Sequence, residues 1–333
     1  MRSGPVASSS QGKAGAMMLV VFGSLNMDLV VEVPTIPRPG ETVLGSRSVT
    51  TPGGKGANQA VAAARAGAEV AMIGAVGDDG FGDELRSSLA EEGVDTAGVT
   101  RVAAPTGLAL ICVDAAGENS IAVASGANAK AKAASIPEGL VVTGTALLMQ
   151  MEVPADQTWA AIARAHAAGA TTILNLAPAQ AVPAATLDQL DILVANAGEA
   201  EMAATTLALA DRSPIAVATA LSHAHDLTCV VTLGAEGAIA VTARGRVGYR
   251  VDALPIASVD TTGAGDTFTG VLAAGLNAGC TLPEALRRAG CAAALSCEGL
   301  GAQDAMPTRA MIDRGLKRMP SVEHLTVCSA API

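Results

Sequence analysis

Short apolar runs alternate along the chain with longer segments in which apolar residues recur at helical spacing. A short apolar run between turn residues is typical of a buried strand, and a period near 3.6 is typical of an amphipathic helix. Strands are predicted at residues 18–22, 70–76, 147–151, 171–176, 192–195 and 230–233, and helices up to 67, at 81–92 and at 157–168. This alternation predicts βαβ crossovers and a mostly parallel sheet.

Polar residues follow several of the predicted strands. They are Asn26, Asp28, Glu152, Asn196, Thr232 and Asp260. The carboxyl ends of parallel strands share one edge of the sheet, and open α/β sheets bind their ligands at that edge. Each residue alone also fits a turn, because Asn and Asp commonly build turns. Together they predict a binding site at the carboxyl edge of the sheet.

Two segments depart from the alternation of strands and helices. Residues 29–51 and 106–125 alternate apolar and polar positions, and turn residues interrupt them. Period-two alternation bounded by turns predicts short, half-buried strands. We therefore expect a small β-sheet lid outside the main sheet, which would exclude water when it closes over a substrate.

The composition of the chain limits which partners and which cellular compartment are expected. The 333 residues have a formal charge of −10, and they are 50% hydrophobic but only 2% aromatic. Without a basic patch, nucleic acid is not expected as a partner, although backbone N–H groups can still hold a nucleotide. Six cysteines without a C-x-x-C pair predict reduced thiols in a cytoplasmic protein. The most apolar run, at 140–151, is shorter than the ~18 residues of a membrane span, and it predicts a buried strand.

Both ends of the chain differ from the part between them. Residues 1–17 are rich in Ser, Gly and Ala, contain two basic residues and lack acidic ones. This composition fits a disordered tail or a weak transit peptide, and the lack of an apolar or amphipathic segment favours the tail. Residues 321–333 are also predicted to form a tail, which leaves a single domain over 18–320.

The segment DTTGAGDTF at 260–268 predicts a loop that becomes a helix. Gly263 and Gly265 allow a ligand to approach the backbone closely, and the free N–H groups at a helix start attract anions. Asp266 would lie beside that anion site, where a carboxylate suits a base acting on a phosphate acceptor. Capping alone also explains an Asp at a helix start. The paired glycines and the second acid, Asp260, favour the functional interpretation.

Two further motifs allow both a structural and a functional interpretation. Three glycines within residues 53–56 exceed what a tight strand-to-helix turn needs, and Asn58 follows where it could hydrogen-bond a small polar ligand. The segment is not a P-loop, because the pattern G-x-x-x-x-G-K-[ST] is not met. Asn196 and Glu199 fit helix capping, and they fit equally well the oxygen ligation that Mg²⁺ and its waters require beside phosphates.

Several separated motifs together resemble the ribokinase/phosphofructokinase-B family of sugar kinases. They start at residues 23, 53, 126, 147, 196, 232 and 260 and read GSLNMD, GGKGANQA, GANA, LLMQME, N-x-x-E, TLG and DTTGAGD. The resemblance runs from about residue 19 to about 308, and the last motif matches a family signature almost letter for letter. It implies a three-layer α/β/α sandwich with a mostly parallel central sheet, a small β-sheet lid and a homodimer formed through that lid.

The resemblance also implies an activity. It is the transfer of the γ-phosphoryl group of ATP, with Mg²⁺ and K⁺, to the 5-hydroxyl of D-ribose. By position in the motifs, Asp266 is the implied base, and Gly263, Ala264 and Gly265 form the implied anion hole. The implied sugar-binding residues are Asn26, Asp28, Gly54, Lys55, Asn58 and Glu152, together with Asp266.

Two more sets of residues are implied in the same way. The nucleotide side corresponds to Asn196, Glu199, Thr232, Gly234 and Gly265. The monovalent-cation site corresponds to Asp260, Thr262, Ser296, Gly299 and Gly301. Most of the cation ligands would be backbone carbonyls, so this site would act indirectly, by ordering the loop that carries the anion hole.

Two alternatives stay open on the sequence alone. The first is a kinase of the same family for another sugar or a nucleoside. A nucleoside base needs a stacking surface, commonly an aromatic one, and the chain has only 3 Phe, 1 Tyr and 1 Trp. The second is a non-catalytic sugar-binding protein on the same scaffold, because a fold alone does not determine function. The intact Asp266, Gly263 and Gly265 argue against this second alternative.

Overall fold

The computed structural model describes residues 18–207 and 209–327, and the tail predicted at 1–17 lies outside them. The strands are β1 Leu19–Phe22, β2 Asn26–Glu32, β3 Arg47–Gly53, β4 Val70–Gly77, β5 Asp95–Val102, β6 Gly107–Val113, β7 Asn119–Ala124, β8 Ala146–Met149, β9 Thr171–Asn175, β10 Ile192–Asn196, β11 Thr228–Thr232, β12 Ala238–Thr242, β13 Val247–Val251 and β14 Glu323–Leu325. The helices are α1 Lys55–Arg65, α2 Gly80–Glu91, α3 Ala155–Ala167, α4 Ala184–Leu187, α5 Ala197–Thr206, α6 Pro214–His225, α7 Ala264–Asn277, α8 Leu282–Ser296 and α9 Arg309–Gly315. Within these two described ranges, no helix has both the length and the apolar character needed to cross a membrane.

The main sheet is mostly parallel. Over the described residues it has ten strands in the order β14-β13-β12-β11-β10-β9-β8-β1-β4-β5. The strands from β11 to β5 in that order all pair in parallel. The remaining strands, β12 to β14, extend one edge by antiparallel pairing. The alternation in the sequence predicts this sheet because parallel neighbours need a crossover, which a helix usually supplies.

Helices cover both faces of the main sheet, and β1 shows how the core is divided. Leu19 and Val21 pack in one core with residues of α1, α7 and α8. Val20 and Phe22 pack in a second core with residues of α3, α5 and α6. Successive side chains of a strand point to opposite faces, so every residue of β1 is buried. The predicted three-layer α/β/α fold is confirmed.

A second, smaller sheet forms the predicted lid. Over the described residues it has four strands in the order β3-β2-β6-β7. Its outer strand β7 is exposed along its whole length, and Leu110, Ile121 and Val123 are large apolar side chains that are 49%, 54% and 51% exposed. The lid begins earlier than expected, because β2 starts at Asn26. Asn26 and Asp28 therefore belong to the lid.

Two predicted boundaries are wrong. The apolar run at 140–151 is not one strand: β8 covers only Ala146–Met149, and Val142 and Thr145 close a turn before it, with Thr145 N donating to Val142 O at 3.0 Å. The tail predicted from residue 321 includes β14, which pairs antiparallel with β13. A short edge strand of this kind is held by backbone hydrogen bonds, so its side-chain pattern does not reveal it.

Candidate active site

A polar cleft opens at the carboxyl edge of the parallel strands. Strands β9, β10 and β11 end there in Asn175, Asn196 and Thr232. The start of α1 and the start of α7 also border the cleft. The residues of the predicted site that line it are Lys55, Asn196, Glu199, Thr232, Gly263, Gly265 and Asp266. The structure thus brings widely separated motifs to one place.

The first turn of α7 borders the cleft with Gly263, Gly265 and Asp266. Gly263 caps the helix with φ 72°, a left-handed conformation that glycine adopts without strain. The first N–H bonded into the helix is that of Thr267, which donates to Gly263 O at 2.8 Å. Before it, the N–H of Ala264 closes a turn on Thr261 O at 3.2 Å. Open space lies beside the Cα of Gly265, because a Cβ added there would meet no atom within 4 Å.

Asp266 lies in this first turn with both carboxylate oxygens hydrogen-bonded. Asn58 Nδ2 donates to Oδ2 at 3.0 Å, and Gln59 Nε2 donates to Oδ1 at 2.9 Å. Helix α1 can approach α7 this closely because Gly270, one turn after Asp266, has no side chain; a Cβ there would collide with the backbone oxygen of Gln59. A carboxylate has about four lone-pair positions, so Asp266 can still accept a proton from a ligand.

The residues predicted to bind sugar converge around the start of α1. Gly54 alone connects β3 to α1, and a Cβ on it would lie 2.6 Å from the backbone nitrogen of Asn26. Glu152, just past β8, accepts a hydrogen bond from Ser24 Oγ at 2.6 Å and from the backbone N–H of Lys55 at 3.1 Å. These contacts hold three separate segments of the chain against one another.

Asn26 is oriented by Asn128, which lies in the 3₁₀ turn Gly126–Lys130. Asn128 Nδ2 donates to Asn26 Oδ1 at 2.7 Å and to Leu25 O at 2.9 Å, and Asn128 Oδ1 accepts from Leu25 N at 2.9 Å. Because the oxygen of the Asn26 side chain is occupied, its amino group is available for a ligand hydroxyl. Asn128 itself is 1% exposed, so it acts on a ligand only through Asn26.

Carboxylates crowd the start of α1. Burial, and then the negative charges of Glu152 and Asp266, raise the pKa of Asp28 to about 7, although Lys55 acts to lower it. The pKa of Lys55 is raised, above all by the charge of Asp266, while burial opposes the shift. Lys55 is therefore the cation that balances these acids. With a pKa near neutrality, the Asp28 carboxyl group can either accept or donate a hydrogen bond to a ligand hydroxyl.

Asn196 and Glu199 form a capping box at the start of α5. Asn196 Oδ1 accepts from Glu199 N at 2.8 Å, and Glu199 Oε2 accepts from Asn196 N at 2.8 Å. The capping interpretation is therefore correct, and both residues also line the cleft, so the ligand-binding interpretation stays a prediction. Burial raises the pKa of Glu199. Thr232 lies in the same cleft, and Gly234 begins the next 3₁₀ turn with φ 59°.

The residues predicted to hold a monovalent cation lie in two adjoining loops. Asp260 Oδ1 accepts from the N–H and the hydroxyl of Thr262 at 2.9 and 2.6 Å, and Oδ2 accepts from Gly301 N at 2.9 Å. Burial acts to raise the pKa of Asp260, but these hydrogen bonds outweigh it and the pKa is lowered. Ser296 ends α8, and the N–H of Gly299 donates to its backbone oxygen at 3.4 Å.

The possible ligands in these loops are oxygen atoms. They offer the carboxylate of Asp260 and backbone carbonyl oxygens, and oxygen donors suit hard cations. Throughout 18–207 and 209–327, no group of three or more His, Cys, Asp or Glu side chains is arranged to hold a metal ion. One expectation about Asp260 is wrong: it does not directly follow a strand, because β13 ends at Val251 and a loop intervenes.

Four amide residues that no sequence argument singled out lie in a buried network with Asp266. They are Gln59, Gln150, Asn175 and Gln303. Asn175 ends a strand, so it carries the same signal as Asn196 and could have been found by it. Gln303 bonds to Asn58 across 245 residues of chain, and no local pattern marks such a partner.

Comparison with known proteins agrees with this geometry. A family model described as pfkB family carbohydrate kinase matches residues 16–309. The chain is 39% identical over 295 residues to a ribokinase of Haemophilus influenzae, which covers 87% of this chain and 95% of that protein. The structure resembles a ribokinase from Thermotoga maritima with a TM-score of 0.83 and 31% identity, over 90% of this chain and 99% of that one. It also resembles an Arabidopsis thaliana ribokinase complexed with ribose and ATP, with a TM-score of 0.79 and 32% identity, over 91% and 99% of the two chains.

Proposed function

The chain belongs to the pfkB family of carbohydrate kinases, and we propose that it uses ATP to phosphorylate D-ribose at the 5-hydroxyl. The relatives and structural neighbours named above are ribokinases, and one of them is complexed with ribose and ATP. One observation carries the proposal. The Asp266 carboxylate lies between a group of polar side chains suited to a small polyhydroxy ligand and the open space beside Gly265 at the start of α7.

The reaction proposed for this site needs little covalent chemistry from the protein. The 5-hydroxyl oxygen bonds to the γ-phosphorus, its proton passes to Asp266, and the bond to the bridging oxygen breaks to release ADP. The N–H groups at the start of α7, Gly265 above all, stabilise the charge that builds on the equatorial oxygens. The remaining task is to position the two reactants.

On the sugar side, we assign binding to Asn26, Asp28, Glu152 and Asn58, with Gly54 and Lys55 bringing the backbone close. Amide and carboxylate groups are the usual partners of ligand hydroxyls. Asn26 and Asp28 lie on lid strand β2, so a movement of the lid would change their contacts with the sugar. The lid would also keep water, a competing acceptor, away from the phosphoryl group.

On the nucleotide side, we assign binding to Asn196, Glu199, Thr232 and Gly234. Asn196 and Glu199 carry the oxygen atoms that Mg²⁺ or its bound waters prefer. Bound together with ATP, Mg²⁺ would supply positive charge to the phosphates. Lys55 lines the same cleft, and it adds a second positive charge from the protein.

A monovalent cation, K⁺, is proposed in the loops of Asp260, Thr262, Ser296, Gly299 and Gly301. These loops connect to the anion hole through packing, because a Cβ added to Gly263 would lie 3.0 Å from the Cβ of Ala302. Ordering of the loop at Gly301 would therefore affect the position of the first turn of α7. The cation would act on the reaction indirectly, through the position of the Gly265 N–H.

A homodimer through the lid and a cytoplasmic location complete the proposal. The exposed apolar side chains of Leu110, Ile121 and Val123 on the lid would be covered by a second copy. Reduced thiols suit the cytoplasm, and the cysteines of the described residues, at positions 112, 229, 280, 291 and 297, are free.

Comparison of substrates tests the function directly. The rate of ADP formation is measured with ribose, deoxyribose, fructose and adenosine, each with and without K⁺. We expect ribose to be the best substrate, with higher activity in K⁺, and phosphorus NMR to place the new phosphate on the 5-oxygen. Preference for adenosine would make the chain a nucleoside kinase instead. A lack of phosphorylation of every sugar offered would overturn the proposed function.

A further inference from the structure

Gln59 is a fully buried side chain in direct contact with Asp266. It follows Asn58 in α1 and is 0% exposed. Its Nε2 donates to Asp266 Oδ1 at 2.9 Å and to Asn175 Oδ1 at 3.0 Å. A residue without solvent exposure cannot touch a substrate that enters through the cleft. Any influence of Gln59 on the reaction must therefore pass through the groups that it holds.

The orientation of the Gln59 amide is set by Gln150. Gln150 Nε2 donates to Gln59 Oε1 at 2.7 Å, which leaves the Gln59 amino group facing Asp266 and Asn175. Asn175 is oriented in turn, because its own Nδ2 donates to Val194 O at 3.2 Å. Each amide in this series thus has one direction only in which all of these bonds form.

This arrangement carries a cost. Gln150 is 0% exposed, and among the described residues no donor reaches its Oε1. A buried acceptor without a partner destabilises the folded state. An apolar side chain at position 150 would remove this cost, but it would leave Gln59 Oε1, which is equally buried, without a donor. Gln150 therefore both satisfies and orients the Gln59 amide.

The other oxygen of Asp266 is held in the same way. Asn58 Nδ2 donates to Oδ2 at 3.0 Å, and Gln303 Nε2 donates to Asn58 Oδ1 at 3.0 Å. Two consecutive residues of α1 therefore each hold one carboxylate oxygen, and a separate glutamine orients each of them. Asn58 is predicted to contact sugar as well, whereas Gln59 is not, so Gln59 isolates the positioning effect.

We propose that Gln59, oriented by Gln150, is a positioning residue for Asp266. This inference rests on the proposed kinase function, in which Asp266 accepts the proton of the sugar hydroxyl. The amide pair fixes the rotation of the carboxylate, so that a free lone pair faces the hydroxyl when sugar and ATP are bound. Its loss lets the carboxylate rotate, and a displacement near 1 Å can cost up to ~100-fold in rate.

Kinetics of Gln59→Met test the proposal, since methionine has a similar volume and no N–H donor. We expect kcat with ribose to fall by about 10-fold or more, while KM for ribose and for ATP stays within about 2-fold, because no ground-state contact is removed. Gln157→Met is the matched control. The side-chain oxygen of Gln157 also accepts a hydrogen bond, from Ala133 N at 3.1 Å, but Gln157 lies on α3, away from the cleft. Its kcat should equal that of the wild type.

A double-mutant cycle separates positioning from a general loss of packing. Gln150→Met should lower kcat in the wild-type background and have no further effect when Gln59→Met is already present. Melting temperatures of all variants show whether the assays were run on folded protein. Additive effects on kcat, or an unchanged kcat in Gln59→Met, would overturn the inference and leave the proposed function intact. A wild-type chain that phosphorylates no carbohydrate would overturn the function and this inference with it.

Discussion

Asn58 and Asp266 are hydrogen-bonded at 3.0 Å although 208 residues of chain separate them. Asn58 is proposed to bind the sugar and Asp266 to take its proton, so one bond connects recognition with chemistry. A sugar hydroxyl that approaches Asp266 meets a carboxylate already oriented by a sugar-binding residue. This arrangement favours the transition state by positioning rather than by added binding strength.

The first prediction concerns the base. Asp266→Asn should lower kcat by at least ~100-fold, because general base catalysis contributes typically that much or more. Sugar binding, measured by titration calorimetry with ribose, should persist. Asn58 and Gln59 donate to different carboxylate oxygens, and the new amide replaces one of these with an amino group, so one of the two donors loses its acceptor. Asp266→Ala, which presents no amino group to those donors, should show the same loss of kcat. Near-normal turnover in both variants would remove Asp266 from the role of base.

The second prediction is a dependence of stability on pH that arises from Asp28. The pKa of Asp28 is about 7 in the folded protein, whereas the reference value, which stands for the unfolded chain, is 3.8. Between these values the folded state holds a proton that the unfolded chain has lost, so stability falls as pH rises through this window. Asp28→Asn removes the penalty. Above pH 7 we expect the variant to unfold at a higher denaturant concentration than the wild type. Its free energy of unfolding should be higher by roughly 1–2 kcal/mol, after allowance for the partial solvent access of Asp28.

The pH comparison has its own control. Glu138→Gln removes an exposed carboxylate that does not line the cleft, and its stability should follow the wild type at every pH. The advantage of Asp28→Asn should shrink as the pH is lowered toward 4. Equal stability of the wild type and Asp28→Asn at pH 8 would mean that the surroundings of Asp28 do not raise its pKa toward neutrality.

The third prediction compares two glycines at helix starts. Gly265 in α7 and Gly80 in α2 both have open space where a Cβ would be added. Alanine favours a helix over glycine by up to about 1 kcal/mol, so neither Gly265→Ala nor Gly80→Ala should lower the melting temperature. Only Gly265→Ala should reduce ATP turnover, by about 10-fold or more, because its methyl group would occupy space needed by the phosphoryl group. Equal activity of the two variants would contradict the proposal that the backbone at Gly265 forms part of an anion hole.

The fourth prediction concerns Asn128, which orients Asn26. Asn128→Ala leaves the backbone groups of Leu25 without partners, so stability should fall by about 1–3 kcal/mol. Loss of the orientation of Asn26 should also raise KM for ribose by about 10-fold, which corresponds to the free energy of one hydrogen bond. Asn128→Asp is the comparison, because its carboxylate can still accept from Leu25 N but cannot donate to Asn26. A KM for ribose that is unchanged in both variants would exclude an orienting role.

Local patterns in the sequence predicted most of the architecture. Strand β1 and helix α1 follow from apolar runs and from the glycines before the helix, because these signals act over a few residues. The lid follows from period-two alternation, although β2 begins at Asn26 and not near residue 29. The edge strand β14 leaves no such pattern in the sequence, since backbone pairing at a sheet edge needs no particular side chains.

The chemical groups available for the reaction can be read from the sequence: the carboxylate of Asp266, the glycines before it and the polar residues at strand ends. How these groups are held depends on the way in which the helices and strands pack. Gln303 bonds to Asn58 across 245 residues, and Gln59 reaches Asp266 because Gly270 lets α1 approach α7. A hydrogen bond depends on distance and angle in space. Neither quantity is written in the spacing of residues along the chain, so the environment of the proposed base emerges only when the helices pack.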